Sequence, residues 1–171
     1  IPAKEAIPDL RIALNDTDPK VRRAAAFALG SVGADAKEAI PDLRIALNDT
    51  DVTVRRSAVA VLGMIGAKEA IPDLRVALKD SNGSIRENAA FALARMNAKE
   101  ASADLIPLLE DKEKDVWLGA AMSLWVLGDK LGTDPRSLLK SSDSEARKYA
   151  ISVIRILKMK EAKTETEIIL L

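Results

Sequence analysis

A stretch of 16 residues occurs twice in this chain without a change, and weaker copies follow at nearly constant spacing. Residues 3–18 read AKEAIPDLRIALNDTD, and residues 36–51 repeat these letters 33 positions later. Residues 67–82 match 12 of the 16 positions after a step of 31. Residues 98–112 begin another copy after a further 31, and a more divergent copy follows from Ser137. A unit of this length buries its apolar side only by stacking on its neighbours, so we expect a serial array.

Each copy contains two helical patterns joined by a short acidic turn. In the first copy, Ile7, Leu10 and Leu14 share one helical face, and residues 15–19 form the turn. Asp18 is expected to cap the second helix, which ends at Gly33. The inward stripe of this second helix is expected to consist of Val21, Ala25, Ala28 and Val32. The pattern therefore predicts an all-α chain of helix pairs.

We assign residues 1–171 to a single array. Its repeats are expected at approximately residues 3–33, 36–66, 67–97, 98–128 and 129–158. Residues 159–171 are expected to form a C-terminal cap or to begin a further repeat. Since the first copy is the best match to the consensus and not an atypical cap, the sequence favours a segment of a longer array. Weak self-association through uncapped ends is expected for the same reason.

The composition argues against several kinds of chemistry. The chain has no histidine and no cysteine, which removes the commonest general base, the commonest transition-metal ligand and any thiolate. Its 26 basic and 26 acidic side chains cancel, so there is no general attraction to nucleic acid or to an anionic membrane. No apolar run approaches the ~18 residues of a membrane span. We predict no catalytic residue, no metal site, no cofactor and no membrane segment, with the cytoplasm as the default compartment.

The turn and the second helix together carry a recognisable signature. Residues 14–33 read LNDTDPKVRRAAAFALGSVG, residues 47–66 read LNDTDVTVRRSAVAVLGMIG, and residues 78–97 read LKDSNGSIRENAAFALARMN. This signature resembles the HEAT repeat, specifically the short HEAT-like type of the phycobilisome (phycobilin) lyase family, and the resemblance covers nearly the whole chain. It implies an all-α, right-handed α–α superhelix, or solenoid, of about five HEAT-like helix pairs. The same repeat serves many unrelated scaffolds, so function has to be argued from surface side chains.

Arginine recurs near the start of the second helix, where a cation opposes the helix dipole and therefore needs a reason. Acidic residues recur in the turn before it. In HEAT-like stacks such residues form an Asp–Arg ladder between adjacent repeats, and the resemblance implies one here. Its members would be Asp16, Asp18, Arg22, Asp49, Asp51, Arg55, Asp80, Arg86, Asp111, Asp143 and Arg147. A phosphate-binding row is the alternative, and the recurring acids favour the ladder.

The opposite side of the second helices carries apolar residues that packing within a repeat does not explain. In the family this side lines the concave face of the superhelix. The candidate partner-binding residues there are Arg23, Phe27, Arg56, Met64, Phe91, Arg95, Leu118, Met122 and Trp125. The same register places Gly30, Gly63 and Ala94 on this side. A groove for a partner with arginines on its rim is one interpretation, and a cover formed by residues 167–171 is the other.

These observations predict a non-catalytic scaffold that binds a protein or peptide on its concave face. A phycobilin-lyase-type subunit or chaperone for a chromophore-bearing protein is an alternative that the family resemblance alone implies. A nucleic-acid-binding module is a second alternative, through Arg23, Arg56, Arg95, Lys148 and Arg155. The zero net charge and interleaved acids such as Glu87 disfavour it.

Overall fold

The computed structural model describes residues 3–127 together with Arg136, Leu139, Lys140, Arg147 and Ile151. The chain divides into two compact units, Ile1–Leu127 and Gly128–Leu171, and the helices whose bounds are given lie in the first. The predicted fifth repeat at residues 129–158 is therefore largely outside the described residues, as are Asp143, Lys148, Arg155 and the segment 159–171.

Residues 3–127 form helix pairs and contain no strand. The α-helices are α1 (Ile7–Ala13), α2 (Pro19–Val32), α3 (Ile40–Ala46), α4 (Val52–Ile65), α5 (Ile71–Ala77), α6 (Gly83–Arg95), α7 (Ser102–Leu105) and α8 (Lys114–Leu127). Short 3₁₀ helices lie at Ala3–Ala6, Gly33–Ala39, Lys68–Ala70, Lys99–Ala101 and Ile106–Glu110. The second helices pack in serial order, α2 on α4, α4 on α6 and α6 on α8. The prediction of an all-α solenoid of stacked helix pairs is confirmed.

Proline and glycine set the ends of these helices. Pro8 lies at the start of α1, where its missing N–H costs no hydrogen bond, and the same holds in α3 and α5. In the fourth repeat Pro107 comes later in the first helix, and the α-helix gives way at Ile106 to a 3₁₀ turn. The helices α2 and α4 are followed by Gly33 and Gly66 with φ of 71° and 73°, a conformation that glycine adopts without strain.

The core is a row of leucines that repeats with the array. Leu29, Leu62, Leu93 and Leu124 occupy one position on the four second helices, and all are fully buried. Alanine accompanies them at Ala25, Ala58, Ala89 and Ala120, which are also buried. Small side chains between the leucines let the helices approach closely, and so the core contains almost no aromatic residue.

The predicted inward stripe of α2 is wrong in part. Ala25 is buried as expected, but Val21 is 37% exposed, while Ala28 and Val32 are only half-buried. Val21 belongs to the first described repeat, whereas its equivalents Val54, Ile85 and Val116 lie between two helix pairs and are buried. The inward face of α2 is instead formed by Ala25, Ala26, Leu29 and Gly30.

Gly30 and Gly63 also depart from the prediction, since both were expected on the outer side and both are buried. A Cβ atom on Gly30 would lie 2.8 Å from Cγ2 of Val61, and one on Gly63 would lie 2.8 Å from Cβ of Ala92. Successive second helices therefore approach each other closely at these glycines. Ala94, at the same position in α6, is likewise buried.

Candidate functional site

Three arginines of the second helices each bridge to the next repeat. Arg22 donates from Nε and Nη2 to the two carboxylate oxygens of Asp49, at 2.7 and 2.8 Å. The pairs Arg55–Asp80, at 2.9 and 3.2 Å, and Arg86–Asp111, at 2.8 and 2.8 Å, have the same two-pronged geometry. Each Nη1 also donates to backbone carbonyls in the turn before its own helix, such as that of Asp16 at 2.8 Å. Each guanidinium therefore ties its own turn to the next one.

The electrostatics of these pairs keep both partners charged. The hydrogen bond from Arg22 is the main reason why the pKa of Asp49 lies below its ordinary value, against the opposing effect of burial. Burial acts to raise the pKa of Asp80 and of Asp111, but hydrogen bonds from Arg55 and Arg86 and from backbone N–H groups hold both below the ordinary value. The three guanidiniums are thus fully engaged inside the molecule.

The remaining predicted ladder acids have a different role. Asp16 accepts a hydrogen bond from the backbone N–H of Asp18 at 2.8 Å, and Asp18 caps α2 by accepting from the N–H of Lys20 at 2.8 Å. Asp51 caps α4 in the same way, through the N–H groups of Thr53 and Val54. These acids stabilise the turns, whereas Asp49, Asp80 and Asp111, at the position of Asp16 in the next three repeats, each pair with the arginine of the repeat before. Arg147 is half-buried, and its predicted partner lies outside the described residues.

A second set of ion pairs joins the first helices, and the sequence analysis missed it. Arg11 donates to Asp42, Arg44 to Asp73 and Arg75 to Asp104, each across one repeat. The signal was present in the repeated letters PDLR, which place an acid and an arginine two residues apart in each of the first three copies. In the fourth repeat both arginine positions change, to Ile106 on the first helix and to the buried Trp117 on the second.

The outer side of the second helices is a separate surface. We call it the second-helix face and define it by the nine predicted positions, Arg23, Phe27, Arg56, Met64, Phe91, Arg95, Leu118, Met122 and Trp125. Phe27 is 72% exposed and Met64 is 54% exposed, and Phe91, Met122 and Trp125 are also exposed. Leu118 is half-buried. Because α2, α4, α6 and α8 pack in order, equivalent positions on these helices form rows across the face.

Two depressions lie between α2 and α4 on this face. The larger has a volume of about 470 Å³ and is lined by Arg23, Ala24, Phe27, Ala28, Arg56 and Ser57. The second, of about 290 Å³, shares Phe27 and Arg56 with it and extends to Met64 and Asn88. Small residues on both helices leave the space that the phenylalanine and the arginines surround.

The arginines of residues 3–127 fall into two groups, those in ion pairs between repeats and those on the second-helix face. Nine arginines occur between residues 3 and 127, and six of them form the ion pairs between repeats. Within that part of the chain the other three, Arg23, Arg56 and Arg95, have no carboxylate partner. All three lie on the second-helix face, beside the exposed aromatic and methionine side chains.

The sign of the charge changes along one row of the face. Glu87 occupies in α6 the position that Arg23 and Arg56 occupy in α2 and α4. Burial raises the pKa of Glu87 above its ordinary value, and the nearby Asp115 of α8 adds to the effect. Gly119 makes room for this side chain, since a Cβ atom there would lie 3.1 Å from Cγ of Glu87. Along this row two positive positions are thus followed by Glu87 and then by the uncharged Leu118, and Asp115 adds a negative charge on α8 near Glu87.

A comparison with known protein families identifies the family to which these stacked helix pairs belong. Residues 7–84 and residues 40–125 each match the family model for HEAT repeats. The chain belongs to the HEAT-repeat family. The resemblance noted in the turn and second-helix signature is therefore confirmed, and the Arg22–Asp49 type of bridge lies between successive HEAT repeats. A comparison with curated proteins found no match.

Solved structures share the fold. The complex of CpcE and CpcF of phycocyanin lyase from Nostoc sp. PCC7120 has a TM-score of 0.69 at 23% identity, covering 84% of this chain and 62% of that one. Human deoxyhypusine hydroxylase has a TM-score of 0.61 at 28% identity, covering 71% of this chain and 43% of that one. A designed armadillo repeat protein has a TM-score of 0.59 at 22% identity, covering 88% of this chain and 82% of that one. The chain thus spans less than two thirds of the first two proteins.

Among residues 3–127 and the five further described positions, no group of three or more histidine, cysteine, aspartate or glutamate residues could hold a metal ion. In the same part of the chain no helix has the length and apolar character that crossing a bilayer requires. The arrangement on the second-helix face can form contacts with a partner, through cations, aromatic rings and flexible thioethers.

Proposed function

We propose that this HEAT-repeat protein is a non-catalytic scaffold that binds a protein or peptide segment on its second-helix face. One observation carries the proposal. The three arginines that have no carboxylate partner within residues 3–127 lie on the same face as the exposed Phe27, Phe91 and Met122. Arginine and aromatic side chains dominate the binding energy of protein interfaces, and methionine is enriched in them.

The opposite side of the array is a weaker candidate. Ile12, Ile45 and Val76 are exposed at one position on the first helices. However, the arginines beside them are held in ion pairs with the next repeat, and the exposed row contains no aromatic residue. This side, the first-helix face, lacks the combination of free cation and aromatic ring that the second-helix face has.

The two alternatives from the sequence have less support. Fold similarity to a phycocyanin lyase at 23% identity supports the fold and no more, so a role with a chromophore-bearing protein rests on resemblance. An absorbance change on adding a bilin and its apoprotein would favour that role. Nucleic acid would bring a uniform row of phosphates to Arg23 and Arg56 but also to Glu87 and Asp115, where like charges repel it.

A peptide library displayed on phage tests the proposal with the full-length chain as bait. We expect enriched peptides to lose binding to the variant Phe27→Ser/Phe91→Ser, because these substitutions remove exposed rings without opening the core. The matched control is Ile45→Ser/Val76→Ser, which removes two exposed side chains from the first-helix face. Peptides that bind the first variant as well as the wild type, but not the control, would contradict the assignment of the face. A library from which nothing is enriched would contradict the scaffold role.

A further inference from the structure

We infer that the bound segment is extended and carries two blocks of charge, acidic residues over the first two repeats and basic residues over the third and fourth. The inference rests on the proposed function, since it names the chemistry of the partner for the same face. Its basis is the order of charge along the row that contains Arg23, Arg56 and Glu87.

The positive half of this row has the form of a carboxylate site. Arg23 and Arg56 extend from equivalent positions of α2 and α4 into the depression of about 470 Å³. Neither guanidinium forms an ion pair with a carboxylate within residues 3–127. A carboxylate placed there would accept charge-assisted hydrogen bonds from two guanidiniums, which are stronger than bonds between neutral groups.

The negative half consists of Glu87 on α6 and the nearby Asp115 on α8. Glu87 is half-buried against α8, and within residues 3–127 no cation forms a salt bridge with it. Burial and the proximity of Asp115 both raise the pKa of Glu87, so its ionised form is under-stabilised in the free protein. A lysine or arginine of a partner would supply the missing counter-charge.

An apolar row runs beside the charged one. Phe27, Ala60, Phe91 and Met122 occupy one position on α2, α4, α6 and α8, four residues further along each helix than the charged row. A segment that crosses the helices would therefore meet charge on one side of its path and apolar surface on the other. In an extended segment of polyproline II type, which has three residues per turn, side chains three residues apart lie on the same side, so all the charges can face the charged row while the residues between them face the apolar one.

The spacing of the helices sets the spacing of the charges. Packed helices lie about 8–10 Å apart, and an extended chain advances about 3.3 Å per residue, so about three residues correspond to one repeat. The expected pattern is two acids three residues apart, then two bases three residues apart, with an apolar residue after each charge. The two depressions favour such a segment, because each of them accepts individual side chains.

Two labelled peptides of equal composition test the inference by fluorescence anisotropy with the full-length chain. The block peptide is Glu-Leu-Ser-Glu-Leu-Ser-Lys-Leu-Ser-Lys, and the alternating peptide is Glu-Leu-Ser-Lys-Leu-Ser-Glu-Leu-Ser-Lys. We expect the block peptide to bind roughly tenfold more tightly, since the alternating one exchanges attraction for repulsion opposite Arg56 and Glu87. We also expect the variant Arg23→Ser/Arg56→Ser to lose this preference and Ile45→Ser/Val76→Ser to keep it.

The possible failures are distinguishable. Equal affinity for the two peptides, with loss of both in Phe27→Ser/Phe91→Ser, would overturn the charge order and leave the scaffold role standing. Binding of neither peptide, while library peptides do bind this face, would do the same. A single-stranded oligonucleotide that binds more tightly than the block peptide would overturn the inference as well.

Self-association is the remaining outcome, because a surface with Arg23 and Arg56 at one end and Glu87 and Asp115 at the other complements a second copy in reverse order. A wild-type dimer in sedimentation that Arg23→Ser/Arg56→Ser converts to a monomer, with no peptide bound, would show that the occupant is another copy and would overturn the inference.

Discussion

Removal of the Arg86 guanidinium would measure how strongly the ladder joins two repeats. Arg86 donates two hydrogen bonds to Asp111, one to Glu113 and one each to the carbonyls of Asp80 and Ser81. The side chains of Arg86 and Asp111 are only 10% and 12% exposed. Breaking a fully buried pair costs about 3–5 kcal/mol, and allowing for the remaining solvent contact we expect Arg86→Met to lower the free energy of unfolding by about 2–3 kcal/mol.

A matched control comes from the second set of ion pairs, which joins the first helices. Arg44 and Asp73 also join adjacent repeats, but their side chains are 42% and 32% exposed. Exposed pairs contribute about 0.2–1 kcal/mol, so Arg44→Met should cost well under half as much as Arg86→Met. Urea unfolding followed by far-ultraviolet circular dichroism gives both values, and the fluorescence of Trp117 and Trp125, both on α8, reports on the repeat that Arg86 holds.

The reasoning also predicts coupling between the two partners of the bridge. Much of the cost of Arg86→Met should come from the carboxylate of Asp111 left without its cation. The double variant Arg86→Met/Asp111→Asn should therefore lose less free energy than the sum of the single variants. If Arg86→Met costs no more than Arg44→Met, or if the two substitutions are additive, the ladder does not hold the repeats in the way its burial indicates.

Three further predictions follow from single contacts. Gly63→Ala should destabilise the fold by about 1 kcal/mol in thermal unfolding, because overpacking against the backbone of Ala92 outweighs the gain in helix propensity; an unchanged Tm would contradict this. Asp18→Ala should lower the free energy of unfolding by about 1 kcal/mol in urea, because the cap of α2 is lost. Asp18→Asn should keep most of the stabilisation that the cap provides, because asparagine caps helices about as well as aspartate. Glu87→Gln should raise the Tm near neutral pH and leave it unchanged in acid. The raised pKa means that the folded state is destabilised as pH rises and Glu87 ionises, so an equal gain at both pH values would refute the cause.

The repeat made the helix pairs predictable because the same letters recur with the same turn. Once Arg22 and Asp49 are assigned to consecutive copies, their separation of 27 residues places a cation of one repeat beside an acid of the next. The rotation of each helix was harder to predict. In α2, residues 24–30 read AAAFALG, so several stripes are apolar and the period alone does not select one. The close approach at Gly30 selects it, and that contact is visible only in three dimensions.

The location of the candidate binding face was predictable from the sequence, but the depressions on it and the ion pairs between the first helices were not. Phe27 and Phe91 stand out in a chain with few aromatic residues, and the structure places both on the exposed surface. The depressions beside Phe27 depend on the small residues of two helices from different repeats, and a single-helix pattern does not show them. The ion pair of Arg11 with Asp42 was not predicted, because Arg11 lies in the last turn of α1 and Asp42 in the first turn of α3, where the helix dipole already favours each charge without a partner.

The identical bridges between repeats make the joints of this array interchangeable. Asp49 and Asp80 occupy the same position in their repeats, and each accepts hydrogen bonds from the arginine of the repeat before. An arginine in the position of Arg22 would therefore pair with either aspartate in nearly the same geometry. A gene that lost or gained one such unit would therefore still encode a continuous stack. What would change is the length of the outer surface, which grows or shrinks by one helix at a time, and with it the number of side chains a bound segment must supply.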